Sequence, residues 1–213
     1  MKILHISDTH GNMWTPRHFD ADVVVHSGDF FPSFSRGVRA IEEGKQRAWL
    51  LNEAKRIKRV VGDRPLVFCA GNHDYLDPAT ILGAHGVNVK NITNGFAFVH
   101  VSGESVRFDG FPYVNRLDGE WNYEVNEPEM RARVDRLAMR LVADSVLVTH
   151  GPAYGVLDRV RGVNVGSKAL GSLVVTLQPR AHLHGHIHEA NGMQLVGRTL
   201  VSNAATAGRV IEL

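Results

Sequence analysis

A single cysteine in 213 residues leaves Cys69 with no partner in the chain. No internal disulfide can brace this fold, so its stability has to come from an apolar core, and 213 residues are enough to build a substantial one. No apolar stretch approaches the ~20 residues needed to span a bilayer. Charge of one sign is also missing. The 24 basic and 22 acidic side chains leave a net charge of +2, which gives no broad attraction for nucleic acid or another polyanion. Met1-Lys2 passes straight into an apolar run, without the charged-then-apolar order of a secretory leader. Repeats, low-complexity tracts and linkers are absent too. These absences predict one domain over residues 1–213, cytoplasmic, without a membrane or an obligate nucleic-acid partner. Cys69 sits late in an apolar strand-like run and reads as a small buried residue rather than a reactive thiol.

Five short polar clusters are present: Asp8-Thr9-His10, Gly28-Asp29, Gly71-Asn72-His73-Asp74, His150-Gly151-Pro152 and Gly185-His186-Ile187-His188. Each follows an apolar, β-like run: Lys2 to Ile6, Asp22 to His26, Leu66 to Ala70, Ser145 to Val148 and Ala181 to His184. In open α/β sheets, ligands bind beyond the carboxyl ends of strands, so loops far apart in sequence can share one crevice. Carboxylate, imidazole and amide side chains arriving this way suit a pair of metal ions, and burying so many ionisable groups without a metal would be costly. Asp8 and His10 would project the same way if the chain stays extended, as would His186 and His188. Gly28 permits a sharp turn that leaves Asp29 at the sheet edge.

Periodicity predicts helices over Gly37–Val60, Glu127–Val142 and Ser167–Leu177, with Pro128 early in the second and Pro179 after the third. Strand-like alternation appears at Phe96–Val101, Val106–Phe111, Gln194–Val201 and Arg209–Leu213. Two mixed sheets packed face to face with helices outside both, a four-layer α-β-β-α sandwich, accommodate this many strands. Arg56, Lys58, Arg59, Arg131, Arg133 and Arg136 read as solvated helix faces. Pro112–Asn126 departs from any period and carries Tyr113, Asn115, Arg116, Trp121, Asn122 and Tyr123 around an Asp118-Gly119 turn. Its aromatic and amide groups are suited to stacking on and hydrogen-bonding a planar group, or to forming a plain surface loop.

Taken together and in order, D-x-H, G-D, G-N-H-D, a later H and G-H-x-H closely resemble the calcineurin-like metallophosphoesterases over nearly the whole chain, Ile3 to about Asn203. The resemblance implies that Asp8, His10, Asp29 and His188 hold one metal. Asp29, Asn72, His150 and His186 then hold a second, with Asp29 as the bridge. It implies two divalent or trivalent ions, manganese and iron first, with zinc, cobalt or nickel as alternatives. By the same resemblance a shared hydroxide attacks phosphorus in line, His73 protonates the leaving oxygen beside the phosphate, and Asp74 orients His73. Asn72, His73, Asn12, Tyr113 and Asn115 are the expected substrate contacts.

A narrower likeness covers Thr149 to Pro152, Gly155, Leu157-Asp158, Pro179 to Glu189 and Ser202 to Ala204. These stretches are similar to the metallophosphoesterase-domain proteins of animal brain and their bacterial relatives, a group associated with cyclic nucleotide hydrolysis. The implied function is hydrolysis of small phosphodiesters, 2′,3′- or 3′,5′-cyclic nucleotides among them. The alternatives are a phosphomonoesterase or nuclease using the same site, or a nucleotide-binding protein with weak catalysis. Of the other histidines, His5, His26, His100, His182 and His184 read as strand residues, and His18 and His85 as loop or helix-end residues.

Overall fold

The first strand, β1 (Lys2–Ile6), sorts its side chains by parity, and that sorting organises the molecule. Ile3 faces one apolar cluster, while Leu4 and Ile6 face another. The computed structural model describes residues 1–12, 20–101, 103–117 and 120–213. After β1 come β2 (Val23–His26), α1 (Arg39–Val61), β3 (Leu66–Phe68), α2 (Ala79–Ala84), β4 (Val89–Asn91), β5 (Phe96–Val101), β6 (Glu104–Phe111), β7 (Val114–Asn115) and β8 (Glu124–Val125). The chain continues through α3 (Glu127–Ala138), β9 (Val146–Thr149), β10 (Arg159–Val160), β11 (Val163–Asn164), α4 (Lys168–Leu177) and β12 (Ala181–His184). A 3-10 turn (His188–Ala190) then leads to β13 (Gly192–Val196), β14 (Thr199–Asn203) and β15 (Arg209–Glu212).

Two large sheets result. One runs β15-β1-β2-β3-β4, parallel except for β15, and the other runs β13-β14-β12-β9-β6-β5. In the second, β6, β9, β12 and β14 are parallel, and β5 and β13 close its edges antiparallel. Ile3, Val23, Val25 and Val67 from the first sheet meet Phe108, Val146, Val148 and Leu183 from the second in a buried inter-sheet layer. On the far side of the first sheet, Leu4, Val24, Leu66 and Phe68 pack under Leu50, Ala54 and Ile57 of α1 and Leu82 of α2. On the far side of the second, Phe111 and Leu147 pack under Met130, Val134 and Leu137 of α3 and Leu170 and Val174 of α4. The layer order is α-β-β-α, as expected.

Local chemistry sets the helix ends. Asn126 and Glu129 form a reciprocal capping box at the start of α3, with Pro128 in its first turn. The Ser167 side chain accepts from Leu170 N–H at the start of α4. The α3 helix stops at Ala138 instead of Val142, because the chain tightens into turns where Arg140 reaches across to Gly95, Gly110 and Asp109. The run expected as one strand over Gln194–Val201 is a hairpin. Gly197 adopts φ +59 between β13 and β14, a conformation that reverses the chain and that an L side chain resists. Helix α2 is too short to carry a readable period. The Asp118-Gly119 turn signal and His18 lie outside the described residues.

Candidate metal centre

All five clusters leave the carboxyl ends of parallel strands: Asp8 and His10 after β1, Asp29 after β2, Asn72 and His73 after β3, His150 after β9, and His186 and His188 after β12. Main-chain bonds stitch the loops to one another. Asp8 N–H donates to Gly28 O at 2.9 Å, His10 N–H to Asp29 O at 3.0 Å, and Gly185 N–H to His150 O at 3.1 Å. The last of these spans β9 and β12, while the first two span β1 and β2. Each sheet therefore carries its own loops rigidly to the common edge.

Two groups of metal-ligating side chains form there. Asp8, His10 and His188 bring donor atoms within 4.8 Å of one another, and so do Asp29, His150 and His186. Asp29 lies between them. Its Oδ2 is 3.7 Å from His10 Nε2, and its Oδ1 is 3.3 Å from His150 Nε2. Asn72 Oδ1 adds a neutral oxygen 3.0 Å from His150 Nε2. On the other side, Asp8 Oδ1 is 3.3 Å from His188 Nε2. Asp8, Asp29, Asn72 and His150 are buried, whereas His10 and His186 are half-buried and His188 exposed. The pocket therefore opens on the histidine side.

The backbone here is not extended. Asp8, His10, Asp29 and His186 have φ of 53, 45, 56 and 68, all in the left-handed region. The expectation that Asp8 and His10, or His186 and His188, share a direction through strand alternation is corrected accordingly. His186 lies in a left-handed kink and His188 in a 3-10 turn, and the kinks aim each side chain separately. Each such non-glycine residue stores on the order of 1–3 kcal/mol, which the buried sheet core below must offset. Gly28 has φ +110, and an added Cβ there would run into the His150 ring. Gly185 is packed just as tightly against Ser7 and the Asp8 carboxylate.

His73 sits at the rim. Its Nδ1 is 2.7 Å from Ser33 Oγ, and its Nε2 is 3.9 Å from Asp29 Oδ2. The Trp121 ring lies against it at 4.0 Å between centroids, and the His10 ring is 5.0 Å away edge-on. Burial lowers its pKa below the usual histidine value, although Asp29 pulls the other way. Asp74 does not orient this ring. Its Oδ1 accepts from Phe30 and Phe31 N–H and its Oδ2 from Gly71 N–H, so it clamps the β2 and β3 loops together. Burial, with Asp29 nearby, pushes Asp74 up to about 7 against those N–H groups. Ser33 and Trp121 hold His73 instead. Trp121 stood out in the aperiodic loop as a stacking group, but nothing marked Ser33.

Among the expected substrate contacts, Asn115 and Tyr113 border a narrow apolar cleft that reaches His186. Asn115 donates to Val165 O at 2.9 Å, and the Tyr113 hydroxyl accepts from Arg133 at 2.9 Å. Asn12 is exposed on the turn after His10. The remaining histidines divide as their sequence setting implies. His5 is buried between Ser202 and Ser27, His26 lies beside Thr9, and His182 beside Thr149. His184 is buried and His100 exposed, and His85 caps the end of α2 through Ile81 O. Cys69 is buried, and burial pushes its thiol up to about 12.

The donor set fits a metal. His150 Nδ1 lies 3.0 Å from the Ser27 carbonyl, which places the ring proton on that nitrogen. Its Nε2 then turns a lone pair toward Asn72 Oδ1 and Asp29 Oδ1, so three acceptors converge. A positive charge between them reconciles all three. Burial opposes charge on His150, yet Asp29 raises it to about 9, so without a cation a proton takes that place.

Residues 1–190 match the family model of calcineurin-like phosphoesterases, and the chain belongs to that family. It is a metal-dependent phosphoesterase with a dinuclear site. Curated relatives include a UPF0046 protein of Caenorhabditis elegans, 27% identical over 98% of this chain and 71% of its own length. Human metallophosphoesterase domain-containing protein 1 is also 27% identical, over 94% of this chain and 64% of its own length. This chain thus spans slightly less than two thirds of the human relative. The crystal structure of a Thermus thermophilus protein shares the fold at TM-score 0.62 and 16% identity, covering 95% of this chain and 88% of that one. No helix among the described residues is long and apolar enough to cross a membrane.

Proposed function

We propose that this chain hydrolyses small phosphodiesters, with 2′,3′- or 3′,5′-cyclic nucleotides as the substrate class. In this reading Asp8, His10, Asp29 and His188 hold one cation, and Asp29, Asn72, His150 and His186 hold the other. The observation that supports it is the stance of Asp29, whose two oxygens face the two opposing groups. β15 pairs with β1, which supports treating residues 1–213 as one unit.

When bound, the cations supply Lewis acidity toward the phosphoryl oxygens and a nucleophile drawn from water. Manganese and iron head the candidates, since nitrogen and oxygen donors suit both. The chain's own residues do the rest. His73, at the rim 5.0 Å from the His10 ring, protonates the departing oxygen. Ser33 and Trp121 fix its ring, and Asp74 holds the two loops that carry Asp29 and His73. Asn72 contributes ligand oxygen without charge, which keeps the pocket from repelling an anionic substrate. The apolar cleft beside His186, bordered by Tyr113 and Asn115, receives part of the ester.

The test is turnover of bis-(p-nitrophenyl) phosphate by protein loaded in turn with manganese, iron, zinc, cobalt or nickel. Hydrolysis with at least one metal is expected. No turnover with any of them rejects the catalytic reading. A panel of 2′,3′- and 3′,5′-cyclic nucleotides, monoesters and oligonucleotides then fixes the substrate class, and a preference for monoesters or oligonucleotides overturns the diester assignment.

A further inference from the structure

A second cavity, about 310 Å³, opens on the α3 side of β6, lined by Asn94, Phe111, Tyr113, Leu137 and the arginines Arg133, Arg136 and Arg140. Its volume is at the lower end of the ~300–1,000 Å³ typical of small-molecule sites. The arginines recur on α3 and its continuation at i, i+3 and i+7, a spacing that stacks them on one face. Among the described residues, no carboxylate lines the cavity.

The three cations are not equivalent. Arg140 is committed to the fold: its guanidinium donates to Gly95 O, Gly110 O and the Asp109 carboxylate, which it shares with Arg107. Arg133 is only partly used. One of its nitrogens donates to the Tyr113 hydroxyl and its guanidinium lies 4.1 Å over the Tyr113 ring, but its Nε is buried with no acceptor. A buried charged donor without a partner is costly, and an anion that drew the guanidinium off the Tyr113 ring into the cavity would relieve that cost. Arg136 is exposed at the mouth of the cavity. A solvated helix face, the reading for Arg133 and Arg136 from sequence alone, leaves the orphaned Nε unexplained.

We propose that this cavity is a second binding site, built for the phosphate group of a small phosphorylated molecule and separate from the metal centre. Arg133 and Arg136 provide the charge-assisted donors, and their planar forks match phosphate oxygens. Phe111 and Tyr113 wall the space left for the organic part. Tyr113 also borders the cleft that reaches His186, so the two sites share a wall. This inference does not depend on which ester the metal centre cleaves.

The test is calorimetric titration of the metal-loaded protein with phenylphosphonate, a phosphate analogue that cannot be hydrolysed. A saturable component is expected that Asp29→Asn leaves in place. Arg136→Ser should weaken it at least about tenfold, the loss expected for one charge-assisted hydrogen bond. Arg133→Lys should weaken it as well, because lysine keeps the charge but not the fork. Arg136 is exposed, so its replacement does not threaten the fold. If the only phosphonate binding disappears with Asp29→Asn, or none responds to Arg136→Ser, the second site does not exist. Phenol serves as the neutral control, and binding of phenol as tight as that of phenylphosphonate overturns the phosphate assignment.

Discussion

His150 Nε2 lies 3.0 Å from Asn72 Oδ1, while the opposite nitrogen of the same ring is 3.0 Å from the Ser27 carbonyl. The ring is thus fixed from behind and presents an acceptor to two further acceptors. A cation held there binds the folded chain and not the unfolded one. At a thousandfold excess over its Kd it stabilises by about 4 kcal/mol. For a chain of this size that corresponds to roughly 8–16 °C in Tm. Chelation should therefore lower the melting temperature by about that much, measured by differential scanning calorimetry. An unchanged transition would mean that no metal resides among these side chains.

Asp29 faces both groups, so its neutralisation should be felt on both sides. In Asp29→Asn, elemental analysis should find both metals depleted, with activity lost in parallel. Replacing His188, the exposed member of the first group, should deplete one metal more than the other. If Asp29→Asn retained two metals per chain, the carboxylate would not be the bridge.

His73 has a different signature. His73→Ala should keep both metals yet lose about 10²–10⁴-fold in kcat, the range for a general acid, and most severely with poor leaving groups. Ser33→Ala should cost less and act through the ring. Its effect should shrink with p-nitrophenolate as leaving group, which departs without needing a proton. Loss of metal in His73→Ala would instead make His73 a ligand.

The fold and the clustering of polar loops were legible because both follow simple local patterns. The apolar runs of β1, β2 and β9 announce strands buried on both faces, and each cluster follows its strand at a glycine or a change to polar residues. The geometry inside the loops was not legible. Strand alternation misled for Asp8 and His10 because both backbones turn left-handed. Asp74 was read as a partner for its neighbour His73, but three backbone N–H groups from two loops compete for its carboxylate and win. Ser33 carries no period at all. It reaches His73 only because the buried Glu42 carboxylate gathers Phe34 and Ser35 N–H and folds the loop back onto the site.

Acid should destabilise the chain through its buried histidines. Burial drives His5 and His182 well below the usual histidine value of 6.5 and His26 down to about 3. Above 6.5 these rings are neutral folded or unfolded. Below it only the unfolded chain takes up the protons, so stability falls with pH at up to about 1.4 kcal/mol per unit for each ring. His150, raised to about 9, already holds its proton in the folded chain across this interval, so it offsets part of the fall, by less than one ring's worth. Asp74, raised to about 7, takes up its proton first in the folded chain and opposes the fall by about one ring's worth, but the three rings outweigh both. Asp29 is held low by His150 despite its burial and titrates further into acid. Urea unfolding of metal-free protein between pH 7 and 5.5 should show this fall, with His182→Asn reducing its slope. A stability that stays level across that interval would show that these rings are protonated in the folded protein.

The narrowest tolerance is predicted at Gly185. A Cβ there would overlap Ser7 Oγ and Asp8 Oδ2, and the Asp8 carboxylate already accepts the His186 N–H at 3.0 Å. Gly185→Ala must therefore move either the Asp8 side chain or the loop that carries His186 and His188. Either movement separates the members of the first ligand group, Asp8, His10 and His188. The metal beside Asp8 should bind at least about tenfold more weakly, a loss of ~1.4 kcal/mol. The apoprotein should lose about 1–3 kcal/mol from overpacking. Gly44→Ala is the control, because it lies mid-helix with open space around its Cβ position and should stabilise by roughly 0.5–1 kcal/mol. Metal titration and urea unfolding of the two variants separate these effects. Normal metal affinity in Gly185→Ala would show that the Asp8 carboxylate can leave its place without cost, and its assignment as a ligand would then fail.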